Sequence, residues 1–434
     1  MAAFSTTRRA FGTRLLRVTF LAAAAMSAVT GTQAEDGMQG RHGQPARANP
    51  VLHWNNVAAE AYKPTQGFVP LAQTRTFSIM HASIHDALNA IERRYKPYTP
   101  GLPAAPRASA DAAVAAAARQ VLVQLIPDQA ALVEAAYVQA LNSLGDGQAK
   151  TAGIATGQAA ALATLARRQA DGADQATQPV YVPRPGAGEY QFTAPFDFAN
   201  LPGWGRVQPF AINLPDHALE GPLPLTGRAY ARDFAQVKLI GQDTSSTRTA
   251  EQTEIAKFWY EDSPLAWNRI ANTVAQKRGI DAWEAARAFT LLNFAMADGF
   301  IAGFDAKYHF RTWRPITAIH AAADDGNPQT EADGSWQPLL LTPPVPDYPS
   351  THMVLGWAAA EVLIDVFGNQ VRYDTTSLTL PGVTRSYRGF AQPAEENGLS
   401  RIYAGIHFPH AVRDGRHQGR SIGQAVADTL PRVR

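Results

Sequence analysis

Apolar residues fall three and four apart along much of the chain, the spacing of helices that turn one face to a core. Phe77, Met80, Ile84, Leu88 and Ile91 mark such a face and predict a helix over residues 72–92. Two alanine-rich stretches, about 109–125 and 128–143, are strong helix formers split by Pro127-Asp128, and a third covers about 148–170. Asp281-Ala-Trp-Glu284 reads as a capping box that opens a long apolar helix reaching about 304. Another helix is expected over 351–367, ended by Gly368-Asn369. No convincing alternating run predicts a strand. Residues 175–226 interrupt the helical pattern with prolines, among them Pro179, Pro183, Pro195, Pro202, Pro215 and Pro224. That stretch predicts an irregular crossing that covers a site. The expected fold is all-α, two packed helical bundles (35–174 and 248–434) joined by a Pro-rich irregular segment, 175–247.

The amino end follows a different rule. Residues 1–34 hold Arg8, Arg9, Arg14 and Arg17 and no acid, then an apolar run from Val18 to Val29, then the small-residue cleavage pattern Thr32-Gln33-Ala34. This is the layout of an export signal and predicts a bacterial periplasmic or secreted protein. Thr7-Arg8-Arg9-Ala10-Phe11 resembles a twin-arginine motif, with a general export signal as the alternative. Phe289 to Phe304 contains Asp298 and reads as a core helix, so no integral membrane segment is expected.

Composition narrows the chemistry. The chain has 434 residues, 39 basic against 37 acidic side chains, 11 histidines and no cysteine. The lack of cysteine excludes disulfides, thiolate catalysis, Fe–S clusters and cysteine zinc sites. A formal charge of +2 is too small to suggest nucleic acid as a partner, and the export signal would remove four of the cations and no acid. Any anion or metal site must be built from His, Asp, Glu, Lys, Arg, hydroxyls and backbone groups.

Three segments in the last third supply such groups: Lys307 to Arg314-Pro315, Pro349-Ser350-Thr351-His352, and Ser400-Arg401 to Gly405-Ile-His407. They contribute three permanent cations, a hydroxyl at an expected helix start, and two histidines. Cations gathered at a helix N-terminus make a cage for a tetrahedral oxyanion. Ser350 is a natural N-cap that puts His352 in the first turn. Gly405 and Pro409 place His407 on a short connector between two helices.

The patterns K-x6-R-P, P-S-x-H and S-R-x5-H resemble the signature of the vanadium-dependent haloperoxidase and type 2 phosphatidic acid phosphatase superfamily. Met80 to Ile91, Phe258-Trp259 and Trp267-Asn268 are similar to stretches of its bacterial haloperoxidase-like members. The resemblance implies a vanadate cofactor, with phosphate able to occupy the same site. It implies His407 as the ligand to vanadium, with Lys307, Arg314, Ser350, Thr351 and Arg401 around the oxygens. It also implies His352 as acid–base residue and Lys307 as a catalytic cation that withdraws charge. The implied partners are hydrogen peroxide and halide for a haloperoxidase, or a phosphomonoester for an acid phosphatase working through a phosphohistidine. An inactive oxyanion-binding protein is a third reading, and a homo-oligomer is left open. Two positions depart from the pattern: Thr351 stands where glycine is usual, and Ala411 where an acid would orient His407. A backbone carbonyl, Asp414 or Asp298 is the expected substitute acceptor. Val345 and Phe304 occupy positions expected near the halide. His309, His320, His410 and His417 are expected at the surface or behind the site. His81 and His85, at i and i+4, are read as packing rather than zinc ligands, and Trp259 and Trp267 as core.

Overall fold

The computed structural model describes residues 49–65 and 69–433; the expected signal, residues 1–34, lies outside them. Among the described residues the chain forms α1 (Pro50–Tyr62), α2 (Pro70–Ile91), α3 (Ala110–Leu125), α4 (Ala130–Asn142), α5 (Gln148–Arg168) and the short α6 (Ala173–Ala176). It continues through α7 (Arg228–Ile240), α8 (Ala250–Phe258), α9 (Ser263–Arg278), α10 (Ala282–Phe310), α11 (Pro315–His320) and α12 (Thr351–Phe367). A hairpin, β1 (Tyr373–Thr376) and β2 (Thr384–Tyr387), precedes α13 (Ala391–Tyr403) and α14 (Pro409–Ala427). The fold is all-α as expected, apart from this antiparallel pair, which alternation did not reveal because each strand has four residues. No helix among the described residues is long and apolar enough to cross a membrane.

α10 is the axis. Its capping box forms as read, with Asp281 accepting from the Glu284 N–H and Glu284 accepting from the Asp281 N–H. The helix continues beyond 304 to Phe310, and Phe304, Ala306 and Lys307 in this last part are buried. α2 and α12 both pack along it, and α3 packs on α5 behind α2.

Glycines set how closely the helices around the site approach. On α14, Gly415, Gly419 and Gly423 lie against the backbone oxygens of Ser350, Val354 and Ala358; a Cβ there would sit 2.9, 2.3 and 2.7 Å from those oxygens. The four-residue steps match on both sides, so α12 and α14 run in parallel with both N-termini at one end. Gly303 faces Thr351 and Gly299 faces Val354 and Leu355, so α10 runs antiparallel to α12. Gly398 faces Met353 and Gly356 faces Ala394, so α13 is antiparallel too. One end of this four-helix group therefore holds two helix N-termini and two C-termini. Positive dipole ends and the cation-favouring last turns meet there.

The Pro-rich stretch laces along α10. Asp298 accepts from the N–H groups of Phe210, Ala211 and Ile212 at 2.6, 2.8 and 3.1 Å. Gly205 lies against the Asp305 backbone. Beyond the helix, the Tyr190 N–H donates to Arg311 O, Trp313 N–H to Gly188 O, and Asn200 N–H to Pro344 O.

Candidate active site

Each element end delivers a chemical group, and the start of α12 delivers two. Lys307 comes from the last turn of α10. Arg311, in the left-handed conformation (φ 50°), ends that helix, and three residues on Arg314 occupies the N-cap position of α11. Ser350 precedes α12, and His352 lies in its first turn. Arg401 sits in the last turn of α13. Gly405 (φ 77°) turns the chain after Ala404, and His407 follows on the connector to α14. Five of the six residues lie on or just past a helix terminus at the shared end of the group.

The side chains converge. Arg314 donates from Nε to Val345 O (2.7 Å) and from one Nη to Ile406 O (2.6 Å); the same Nη lies 3.0 Å from His407 Nε2. His407 Nδ1 is 2.8 Å from Asp347 Oδ1, and Arg314 is 3.8 Å from that oxygen. The Asp347–His407 contact is close but off-axis, so neither atom reaches a well-aligned hydrogen bond. Lys307 Nζ directs all three N–H bonds at backbone carbonyls, those of Pro346 (2.7 Å), Asp347 (3.0 Å) and Pro349 (2.7 Å). Arg401 lies over the Tyr260 ring at 5.2 Å, and its Nε and one Nη are buried without a partner. Ser350 Oγ and His352 Nε2 are buried without one as well.

Electrostatics bind the group further. Burial, then the charges of Arg314, Lys307 and Arg401, hold His407 well below the ordinary imidazole range. Burial and Arg401 do the same to His352. Both histidines are neutral at pH 7. Burial first, then Arg314, pushes Lys307 down. Arg401 falls to about 10 through burial, still a cation. Burial raises Asp347 to about 6 against the pull of Arg314, His410 and Lys307. Three buried cations with one carboxylate leave excess positive charge, which is costly without a counter-anion. The unpartnered donors on Arg401 and Ser350 are the groups such an anion would satisfy. Two neutral imidazoles beside them can supply a lone pair and exchange a proton.

The structure corrects some expectations and agrees with others. Asp347, which the sequence reading did not single out, meets the His407 ring; Asp414 instead accepts from Tyr348 OH (3.0 Å) and pairs with Arg413, and Asp298 is used by backbone amides. An acid clamped between Pro346 and Pro349, just before Pro-Ser-x-His, was the available signal. Ser350 occupies the N-cap position, but its hydroxyl makes no cap bond. The Thr351 methyl turns into the notch at Gly303, where an added Cβ would be 2.8 Å away. Phe304 packs on Phe300 and Tyr308, and Val345 acts through its carbonyl. His81 is buried between Phe77 and Phe289 with Nε2 3.1 Å from Asn55 Oδ1, and His85 contacts Lys96 O. Trp259 and Trp267 are buried and stack at 6.1 Å. His410 lies behind the site against Asp233 at 3.0 Å, and His320 contacts Trp336 O.

Comparison with known proteins agrees with this arrangement. Residues 287–434 match the family described as the VCPO second helical-bundle domain. Vanadium chloroperoxidase of Curvularia inaequalis is 24% identical over 285 residues, 49% of this chain and 46% of that protein, so the match spans about half the length of that relative. The structure titled as the first bacterial vanadium-dependent iodoperoxidase superposes with a TM-score of 0.78 and 26% identity, covering 90% of this chain and 98% of that one. The holo-type bacterial vanadium-dependent chloroperoxidase superposes at a TM-score of 0.65 and 16% identity, over 90% and 94% of the two chains, and shares the fold.

Proposed function

We propose that this chain, a member of the haloperoxidase-like family, is an exported vanadate-dependent enzyme that oxidises halide with hydrogen peroxide. The observation that carries the reading is the set of buried, unpartnered donors on Arg401 and Ser350 beside the Arg314–His407 pair. Arg401, Ser350 Oγ and the Thr351 N–H would hold oxygens of vanadate, Arg314 would neutralise it, and His407 Nε2 would be its protein ligand. Bound there, vanadate would supply a Lewis-acidic centre at which peroxide is polarised for attack by halide.

The protein's own part is positioning and proton transfer. His407 is neutral, so its Nε2 offers a lone pair rather than a proton. His352 is neutral, and its buried Nε2 has no protein partner, so it can take a proton from one reactant and return it to another. Lys307 holds the 346–349 loop in place and contributes its charge from behind.

Reconstitution with orthovanadate, followed by peroxide-dependent bromination and iodination, tests this. Halogenation should appear with vanadate and vanish in His407→Ala. Phosphomonoester hydrolysis inhibited by vanadate, with no halogenation, would replace the reading with a phosphatase using His407 as nucleophile. Neither activity, with retained phosphate binding, would leave an oxyanion-binding protein.

A further inference from the structure

We propose that Asp347 is the positioning residue of His407 and that Lys307 acts through it. The ammonium fixes the Pro346–Pro349 loop, and the loop's carboxylate fixes the imidazole ring. The inference rests on the site being the one proposed above, and it assigns that site an orienting device at a new location.

The argument starts from what each atom can do. A guanidinium nitrogen only donates. The Arg314 Nη at 3.0 Å therefore meets a lone pair on His407 Nε2. In a neutral imidazole the proton is then on Nδ1, the nitrogen that lies 2.8 Å from Asp347 Oδ1. Two neighbours on opposite sides of the ring thus select one tautomer, the one that leaves Nε2 free to bind. No other described acid competes for the role, because Asp414 and Asp298 are occupied elsewhere. The helix that follows His407 supplies no carboxylate four residues on: residue 411 is alanine, and its carbonyl accepts the Ser350 N–H at 2.9 Å.

Asp347 is itself held. Its carbonyl accepts from Lys307, as do the carbonyls one residue before and two residues after it, and its N–H donates to Thr312 O at 2.9 Å. Three backbone bonds to one buried ammonium leave the loop little freedom, so the carboxylate is kept 2.8 Å from the ring nitrogen. Lys307 thereby reaches His407 without touching it.

The test is imidazole 15N NMR of the unloaded protein at pH 8, paired with calorimetric titration of orthovanadate. In the wild type, His407, assigned by the signal lost in His407→Ala, should show a protonated Nδ1 and a bare Nε2. Asp347→Ala should give averaged shifts of the two tautomers and weaken orthovanadate binding by about 10–100-fold, the usual effect of losing the partner of a ligand histidine. Lys307→Met should give the same averaged shifts with Asp347 still present. If Asp347→Ala does not fold, Asp347→Asn, of equal shape, is read by affinity instead: its amide oxygen should keep the tautomer, orthovanadate binding should weaken with the loss of charge, and wild-type affinity would overturn the proposal. Wild-type-like His407 shifts in folded Asp347→Ala, or a bare Nδ1 in the wild type, would overturn the proposal. A wild type that binds neither orthovanadate nor inorganic phosphate would sink the proposed function instead, while the unloaded spectrum still decides this point.

Discussion

At the scale of single residues, function and stability pull in different directions. Arg401 is buried over the Tyr260 ring with two donors unpartnered, and those two donors cost folding energy. Arg401→Met, which keeps the packed stem and removes the donors, should therefore leave thermal stability unchanged or raise it, while orthovanadate affinity falls by about 10–100-fold, the worth of a charged hydrogen bond. Differential scanning fluorimetry and titration on the same sample check both halves. His81 shows the opposite case, a histidine used as a packing group. Burial lowers it to about 3, whereas the unfolded chain protonates it near 6.5. Below pH 6.5 the unfolded state takes up a proton that the folded state refuses, so stability falls as pH falls through this window. The group contributes about 1.4 kcal/mol per pH unit to that loss. His81→Gln should flatten the acid limb of urea-derived stability between pH 4 and 6.5 by that slope.

At the scale of elements, the sequence was informative wherever one face repeated. The bounds of α3 and α12, and the start of α10, follow from periodicity and caps that act within a few residues. The hairpin did not follow because four residues are too few for alternation to show, and the role of Asp347 did not because it meets a ring sixty residues later. The departure at Thr351 was visible, but its accommodation was not, because the notch belongs to a different helix. Filling that notch should be felt at the site. Gly303→Ala would press on the Thr351 methyl and destabilise the protein by roughly 1–3 kcal/mol, as overpacking does. Adding Thr351→Ser, which removes the methyl, should restore most of the loss in urea unfolding. No recovery would mean that the contact is not the cause.

At the scale of the whole molecule, the site is a product of helix directions. Parallel α12 and α14, with antiparallel α10 and α13, bring two N-termini and two cation-bearing C-termini to one end. The glycine stripe at 415, 419 and 423 makes this approach possible, and its four-residue period was there to be read once α12 was placed beside it. The candidate cage itself was legible because its residues cluster in three short segments. Its orientation and its carboxylate were not.

The Pro-rich stretch remains. Its amides and carbonyls bind Asp298 in the middle of α10 and Arg311, Trp313 and Pro344 near the candidate cage, so it belongs structurally to the chemistry-bearing third. This bears on inheritance. A recombination that exchanged residues 49–174 with a relative would cut the brace from its other anchor, where Arg168 donates to Gln208 O and Pro209 O and the Gln208 N–H donates to Asp171 O. One that broke the chain after 226 would pair the loop carrying Arg314 with a foreign brace. Descent should therefore hold residues 175–226 and the last third together as one heritable unit, with the end of α5 carried along by Arg168 and Asp171.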